Sequence, residues 1–484
     1  MQRARSGGCR AIIAAARTPA REAPAAPGYI RLMVSLLARS LACCLFTALV
    51  FAAPLLAAPP KSGVSLMHGF VDMGSMTLWA QTAGPARLAV EFFPEGNESA
   101  KRRVEAATAA ESDFVAHLRL ANLEPGTSYR YRMLADGKPA REGTFRTQPL
   151  WQFRSNPPDF AVALGSCAYV NDPFSRPGRP WAESFQIFDA IASKSPDFML
   201  WLGDNVYFRE PEWTSPEGMS ARYRSYREEP ALQRLWTSTS HLAIWDDHDY
   251  GPNDSDASFV GKGWALETFR RYWPNPAAGL PGVPGVFTQV TYGDVDFFLL
   301  DDRFYRYPNR YPNTPEKTMW GSAQLRWLKQ ALVSSRAPFK VIANGSQFWN
   351  RANRFEGLYQ FPADQKALSD WIAEQRIPGV VFVSGDRHFA ELLRIERPRA
   401  YPLHEFTVSP LTAGVANASQ EERDNPDALP GTFTAQRNFG MLRFSGPREA
   451  RKLAFELYDS DGKLLWQRSV AAADLRPPLE AAPK

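Results

Sequence analysis

Two patterns of apolar positions follow one another along the chain. Between residues 62 and 148, the segments 76–80, 87–92 and 114–118 alternate apolar and polar side chains, the period of half-buried antiparallel strands. Residues 120–131 add a Pro125-Gly126 turn ahead of a tyrosine-rich strand. Together they predict a small all-β domain over 62–148. Residues 151–159, with Pro157-Pro158, read as a linker. Beyond it the runs become continuously apolar, at 160–164, 198–202, 241–245, 295–300, 339–343 and 379–383. Such runs are strands buried on both faces, which is how a parallel sheet covered by helices reads. Helical spacing intervenes: Phe185, Phe188 and Ile191 share one face, as do Leu325, Leu328 and Leu332 within 322–334. The polar stretch 211–236 is expected to be a helical insertion near the mouth of the sheet. Segments 453–458 and 464–467, joined by Asp459-Ser460-Asp461-Gly462, predict a hairpin at a sheet edge. The expected fold is α/β, with a catalytic domain over 159–470 and a disordered Pro- and Ala-rich tail over 471–484.

Composition changes this picture at one end. An apolar content of 44% with 22% charged residues is ordinary for a globular chain, and 484 residues suit two or three domains. The net charge of +5 is a property of residues 1–58, which hold seven of the 56 basic and one of the 51 acidic residues. The remainder is near neutral, so basicity argues for no nucleic-acid partner. Arg31 and Arg39 flank Met33, and residues 41–58 are almost wholly apolar and small, ending ahead of Pro59-Pro60. This is the pattern of a secretory signal peptide, with Met33 as an alternative start, and it predicts export to the periplasm or beyond. An uncleaved membrane anchor is the weaker reading, because the run is near the short end for spanning a bilayer. Cys9, Cys43 and Cys44 all lie in this leader, so the mature chain keeps one thiol, Cys167, and no internal disulfide.

The strands carry the chemistry. Six apolar runs each end in a side chain able to coordinate or hydrogen-bond: Cys167 after Ser166, Asp204, Asp246, Asp301, Asn344 and Asp386. Groups at the carboxyl ends of parallel strands converge on one crevice. Tyr207, three residues after Asp204, can place a phenol oxygen beside that carboxylate. Several carboxylates, a thiolate and a phenolate cannot stay ionised side by side without cations, so metal ions are expected.

Taken together, Gly165-Ser166-Cys167, Gly203-Asp204-Asn205-Val206-Tyr207, Trp245-Asp246-Asp247-His248-Asp249 with Asn253, and Ser384-Gly385-Asp386-Arg387-His388 resemble the PhoD-like (alkaline phosphatase D) metallophosphatases, over about residues 62–470. The corner at 120–131 resembles a fibronectin type III-like, immunoglobulin-like sandwich. The resemblance implies a four-layer αββα core, preceded by that sandwich, and a phosphoesterase centre holding Fe(3+) and Ca(2+), another divalent metal being the alternative. It implies Cys167, Asp204, Tyr207 and Asp386 as iron ligands. Asp204 would bridge to a second metal held by Asp246, Asn253 and His388, and Asp204, Asp246 and His388 would be the catalytic set. Thiolate and phenolate suit iron, whereas carboxylate and amide oxygens suit a hard cation. Asp247 and His248 are expected to orient the ligands, and Asp301 and Asn344 to be structural or to support the ligands. Arg387 and Arg209 lie near the motifs, where they could neutralise phosphate. The chain departs from the family pattern at Asp249, where Glu is usual, and at Asp302, where Thr is usual.

The function this implies is an exported phosphoesterase that hydrolyses phosphomonoesters, phosphodiesters or both by metal-activated water. Its substrate would be a small phosphate ester or a phospholipid, with membrane-surface association left open and the oligomeric state unread. The rival readings are a binding protein on the same scaffold without turnover, and a phospholipid-cleaving phosphodiesterase.

Overall fold

The computed structural model describes residues 63–172, 174, 182 and 184–478. The expected leader, residues 1–58, lies outside them, and among the described residues no helix is long and apolar enough to cross a membrane.

The first seven strands are β1 (Ser65–Val71), β2 (Ser75–Gln81), β3 (Ala86–Pro94), β4 (Arg102–Thr108), β5 (Val115–Ala121), β6 (Ser128–Ala135) and β7 (Lys138–Arg146). They form a three-stranded sheet, β1-β2-β5, and a four-stranded sheet, β4-β3-β6-β7. Leu66, Leu78 and Leu118 from the first meet Val90, Tyr131 and Met133 from the second in one core. The Pro125-Gly126 turn is closed by Tyr129, whose hydroxyl accepts the Glu124 N–H at 2.9 Å. Such a tyrosine corner pins the entry to the strand.

The larger region holds two six-stranded sheets. One runs β10-β9-β8-β17-β18-β19, from β8 (Phe160–Gly165), β9 (Phe198–Leu202), β10 (Ser240–Ile244), β17 (Asn438–Ser445), β18 (Lys452–Asp459) and β19 (Leu464–Ala471). The other runs β11-β12-β13-β14-β16-β15, from β11 (Thr288–Tyr292), β12 (Val295–Leu299), β13 (Phe339–Ala343), β14 (Val380–Ser384), β15 (Glu391–Ile395) and β16 (Leu403–Thr407). β8, β9 and β10 are parallel, as are β12, β13, β14 and β16. Strand periodicity explains the layering. Phe198, Leu200 and Leu202 of β9 pack with Phe297, Val341 and Phe382 of the facing sheet. Met199 and Trp201, on the opposite face of β9, pack with Phe188, Tyr223, Trp236 and Phe269 of covering helices. Leu328 and Leu332, with Leu368 and Ile372, cover the far side of the second sheet from the helices Gly321–Ser334 and Pro362–Glu374. Helix, sheet, sheet and helix thus stack in that order.

The sandwich packs on this core. Phe70 of β1 meets Phe198 edge to face at 5.8 Å, and Trp79 of β2 donates its ring N–H to the Arg271 carbonyl at 2.9 Å. His117, in β5, bonds the same carbonyl at 2.9 Å.

The structure amends the sequence reading in places. The stretch 211–236 holds two helices, Pro216–Glu228 and Gln233–Ser238. The chain past Ala471 is folded further than expected, because Ala472–Leu475 makes a turn that buries Leu475 completely beneath the second sheet's core. The hairpin β18–β19 lies at a sheet edge, joined to β8 by β17, a strand the apolar pattern did not disclose.

Candidate metal centre

Every strand-end residue singled out by sequence sits at the carboxyl edge of its parallel strand. Four side chains are delivered by backbone in the left-handed region: Cys167 (φ 55°), Asp204 (φ 51°), Asp386 (φ 67°) and His388 (φ 54°). For residues with a Cβ this conformation costs of order 1–3 kcal/mol each, and its clustering marks a site whose geometry is imposed by the surrounding fold. Gly203 (φ 87°) makes the turn after β9 feasible; a Cβ there would stand 2.7 Å from Asp246 Cβ and 2.9 Å from Asp246 N. Gly345 after β13 approaches the same aspartate, with a Cβ position 2.6 Å from its Cγ. The two glycines let Asp246 lie wedged between the sheets.

Asp204 is at the middle. Its Oδ2 accepts from Cys167 Sγ at 3.5 Å and from Tyr207 Oη at 3.2 Å. Its Oδ1 faces the other way and accepts the His248 N–H at 3.3 Å. Tyr207 Oη is also 3.3 Å from His388 Nε2. The other His388 ring nitrogen, Nδ1, bonds the Gly414 carbonyl, so Nε2 keeps its lone pair directed at the cluster. Two groups of ligand atoms, each within 4.8 Å of one another, share Asp204: Cys167, Asp204 and His388, and Asp204, Asp247 and His248. A third such group, Asp247, Asp254 and Glu356, adjoins them through Asp247.

The electrostatics suit a bound cation. Burial raises the Asp204 carboxyl well above the usual range, and the neighbouring Asp247 and Cys167 raise it further. The Cys167 thiol is pushed up to about 11 by burial, and burial likewise lifts the Tyr207 phenol. Asp386 is pushed up to about 7 by burial. Burial opposes ionisation of Asp247 too, but His248 and Arg303 outweigh it and hold that carboxyl below the ordinary range. Asp386 Oδ2 and Asp246 Oδ2 are buried without a hydrogen-bond partner, as is Asn205 Oδ1. Orphaned carboxylate oxygens around a thiol and a phenol are a donor set that fits metal ions, which would supply the missing positive charge.

The predicted residues divide accordingly. Cys167, Asp204, Tyr207 and His388 come together, with the Asp386 carbonyl 3.6 Å from the sulfur. Asp247 and His248, expected only to orient ligands, stand in ligand position beside Asp204. Asp246 is engaged otherwise: its Oδ1 accepts from Arg303 Nε at 2.6 Å and from Arg303 Nη2, which leaves Oδ2 for a cation. Asn253 is exposed and makes no hydrogen bond among the described residues; the chain brings its neighbour Asp254 to the acidic group instead. Arg387 is paired with Glu422 and covered by the Phe355 ring at 4.7 Å, so its charge is already answered. Asp301 is structural, with Oδ1 accepting from Trp245 Nε1 at 2.8 Å and from the backbone N–H groups of Arg303 and Phe304. Asn344 joins Trp320 and Asp302, at 2.9 and 2.8 Å.

Sequence reasoning missed several participants. Arg303 is completely buried between Asp246 and Glu356, and its only sequence signal was its place after the strand-end pair Asp301-Asp302. Glu356 comes from a loop with no pattern. Asp249, one methylene shorter than the usual Glu, ties two motifs together, accepting the backbone N–H groups of Asn205 at 2.9 Å and Asp246 at 3.0 Å. Ser409, beyond β16, had no motif around it.

Known proteins resemble the chain along both regions. The model of the PhoD-like phosphatase family matches residues 162–450, and the model of that family's N-terminal domain matches residues 55–149. Alkaline phosphatase D of Bacillus subtilis is 23% identical over 365 residues, 65% of this chain and 60% of that protein. Human tartrate-resistant acid phosphatase type 5 is 24% identical over 199 residues, 40% of this chain and 57% of that one. The chain thus spans 60% or less of these relatives' length. Among solved structures, PhoD superposes with a TM-score of 0.69 at 18% identity, covering 87% of this chain and 93% of that one. A purple acid phosphatase from yellow lupin seeds gives 0.61 at 12% identity, covering 88% and 78%. These last two likenesses establish the fold. With the family model matched across more than half its length, the chain belongs to the PhoD-like phosphatases.

Proposed function

We propose that this protein is an exported, metal-dependent phosphoesterase acting on phosphomonoesters, phosphodiesters or both. The observation that carries the reading is the division of Asp204, whose two oxygens face two separate sets of donors. A carboxylate so placed suits a bridge between two cations. Cys167, Tyr207 and Asp386 offer soft and anionic donors suited to iron on one side; Asp247, His248 and the free oxygen of Asp246 suit a harder cation such as calcium on the other. His388 reaches the first group through Nε2. Cations held there would neutralise phosphoryl oxygens and acidify a water molecule in the crevice. The protein's own part is to hold these groups rigidly, through left-handed backbone and buried partners, so that the site needs little rearrangement during reaction. Burial lowers the pKa of both His248 and His388, which favours the neutral rings that coordinate.

Export rests on the leader pattern, and the reading of the sandwich as fibronectin type III-like rests on its three-plus-four strand order and the Tyr129 corner. Metal analysis of the purified protein, with parallel assays on p-nitrophenyl phosphate, its bis-ester and a phospholipid, tests the proposal. Turnover of at least one ester that chelation abolishes and metal restores is expected. Metal binding without hydrolysis of any of the three would favour a binding protein instead.

A further inference from the structure

Beyond the ligands, one hydroxyl touches the centre from the far side of the fold. Ser409 follows β16, and its Oγ accepts the His388 backbone N–H at 2.9 Å while lying 3.1 Å from Cys167 Sγ. A serine hydroxyl has a single proton. With His388 as donor to the oxygen, the acceptor in reach of that proton is the sulfur. Ser166 Oγ is also near, at 3.5 Å, but it gives its proton to the Val408 carbonyl at 2.9 Å. Tyr207 reaches the sulfur as well, yet its hydroxyl donates to Asp204 and has no proton once it binds metal as phenolate. Ser409 is wholly buried, so its hydroxyl is held in place by these two partners.

We infer that Ser409 is a positioning residue that donates a hydrogen bond to the Cys167 thiolate and thereby sets how strongly the sulfur donates to its metal. The inference rests on the reading of Cys167 as a ligand. A hydrogen bond to a coordinating thiolate withdraws lone-pair density, weakens sulfur-to-metal donation and raises the energy of sulfur-to-metal charge transfer. Through its contact with the His388 N–H, the same hydroxyl also fixes the end of β14, in one sheet, against the end of β8, in the other. Loss of the hydroxyl should therefore alter the metal's electronic environment before it alters the fold.

Cobalt(II) is the probe, because a thiolate ligand gives it a near-ultraviolet charge-transfer band. The cobalt-loaded protein should show this band and Cys167→Ser should lack it. Ser409→Ala at matched cobalt content should move the band to lower energy, and Ser409→Thr, which keeps the hydroxyl, should leave it in place. If the alanine variant fails to fold or to bind cobalt, transfer of the parent into D2O reads the same bond as a shift of the cobalt–sulfur stretch in the resonance Raman spectrum. That shift should persist in Tyr207→Phe. A band that neither Ser409→Ala moves nor D2O perturbs overturns the role of Ser409 alone. Bound cobalt with no sulfur band in the parent overturns the reading of Cys167 and this inference with it.

Discussion

Arg303→Met should be among the most damaging single substitutions in the chain, and calcium should partly reverse it. The guanidinium is fully buried and contacts Asp246 through Nε and Nη2, Glu356 through Nη1 and Nη2, Ser346 Oγ at 3.3 Å and the Ser255 carbonyl at 3.2 Å. Methionine nearly fills the volume but supplies neither charge nor donors. It leaves Asp246, 0% exposed, with no charge to answer it, and Glu356, 4% exposed, with only Arg306 at 4.0 Å and the Asn309 amide at 3.4 Å. Removing one partner of a buried ion pair costs roughly 3–5 kcal/mol, most of it the stranded charge. For a folded unit spanning Pro59–Lys484, this lowers the melting temperature by on the order of 5 °C. The assay is thermal unfolding of parent and variant in EDTA, repeated with rising calcium. Because the stranded carboxylates make an additional cation site that the parent lacks, calcium at about one hundred times that site's dissociation constant should return about 2.7 kcal/mol to the variant beyond what both proteins gain at the shared site, narrowing the gap. Equal melting temperatures in EDTA would refute the claim that Arg303 neutralises Asp246 and Glu356.

Three further outcomes are expected. Gly203→Ala should lower stability and metal content together, since it sets a Cβ 2.9 Å from Asp246 N at a φ of 87°, and metal analysis beside thermal unfolding checks it. His241 is pushed down to about 3 by burial, its Nδ1 accepting from Trp201 Nε1 at 3.0 Å, so its stabilising contribution is complete above pH 6.5 and is lost as pH falls toward 3. Compared with His241→Phe, the parent should lose roughly 1.4 kcal/mol more per pH unit in that window, and parallel pH slopes would show that the histidine is protonated in the fold. The iron-loaded protein should be coloured, and Tyr207→Phe at matched iron content should remove the phenolate part of the band; an unchanged spectrum would make Tyr207 a packing residue.

Much of this architecture was legible because parallel strands buried on both faces leave continuous apolar runs, and the residue closing each run marks the crevice. Among the described residues, seven strands escaped notice. β1, β11, β15 and β16 are short or carry polar residues that break the apolar run, β4 and β7 carry Arg, Lys and Glu along exposed edges, and β17 is interrupted by Gly440. Within the centre, Cys167, Asp204, Tyr207 and His388 were readable from motifs lying directly beyond strands. Glu356, Asp254 and Ser409 were not, because loops with no periodicity carry them to the site and only tertiary folding pairs them with it. Arg387 shows the converse: it lies inside a motif, yet Glu422, 35 residues onward, claims its charge.

The proposed function places Asp204 between two cations at once. Asp204→Asn preserves the shape and removes the charge, so metal content per chain and ester turnover measured on the same preparation give the most direct test. Both should fall together, with loss of more than one metal equivalent per chain. A variant retaining the parent's metal content and near-normal turnover would contradict it.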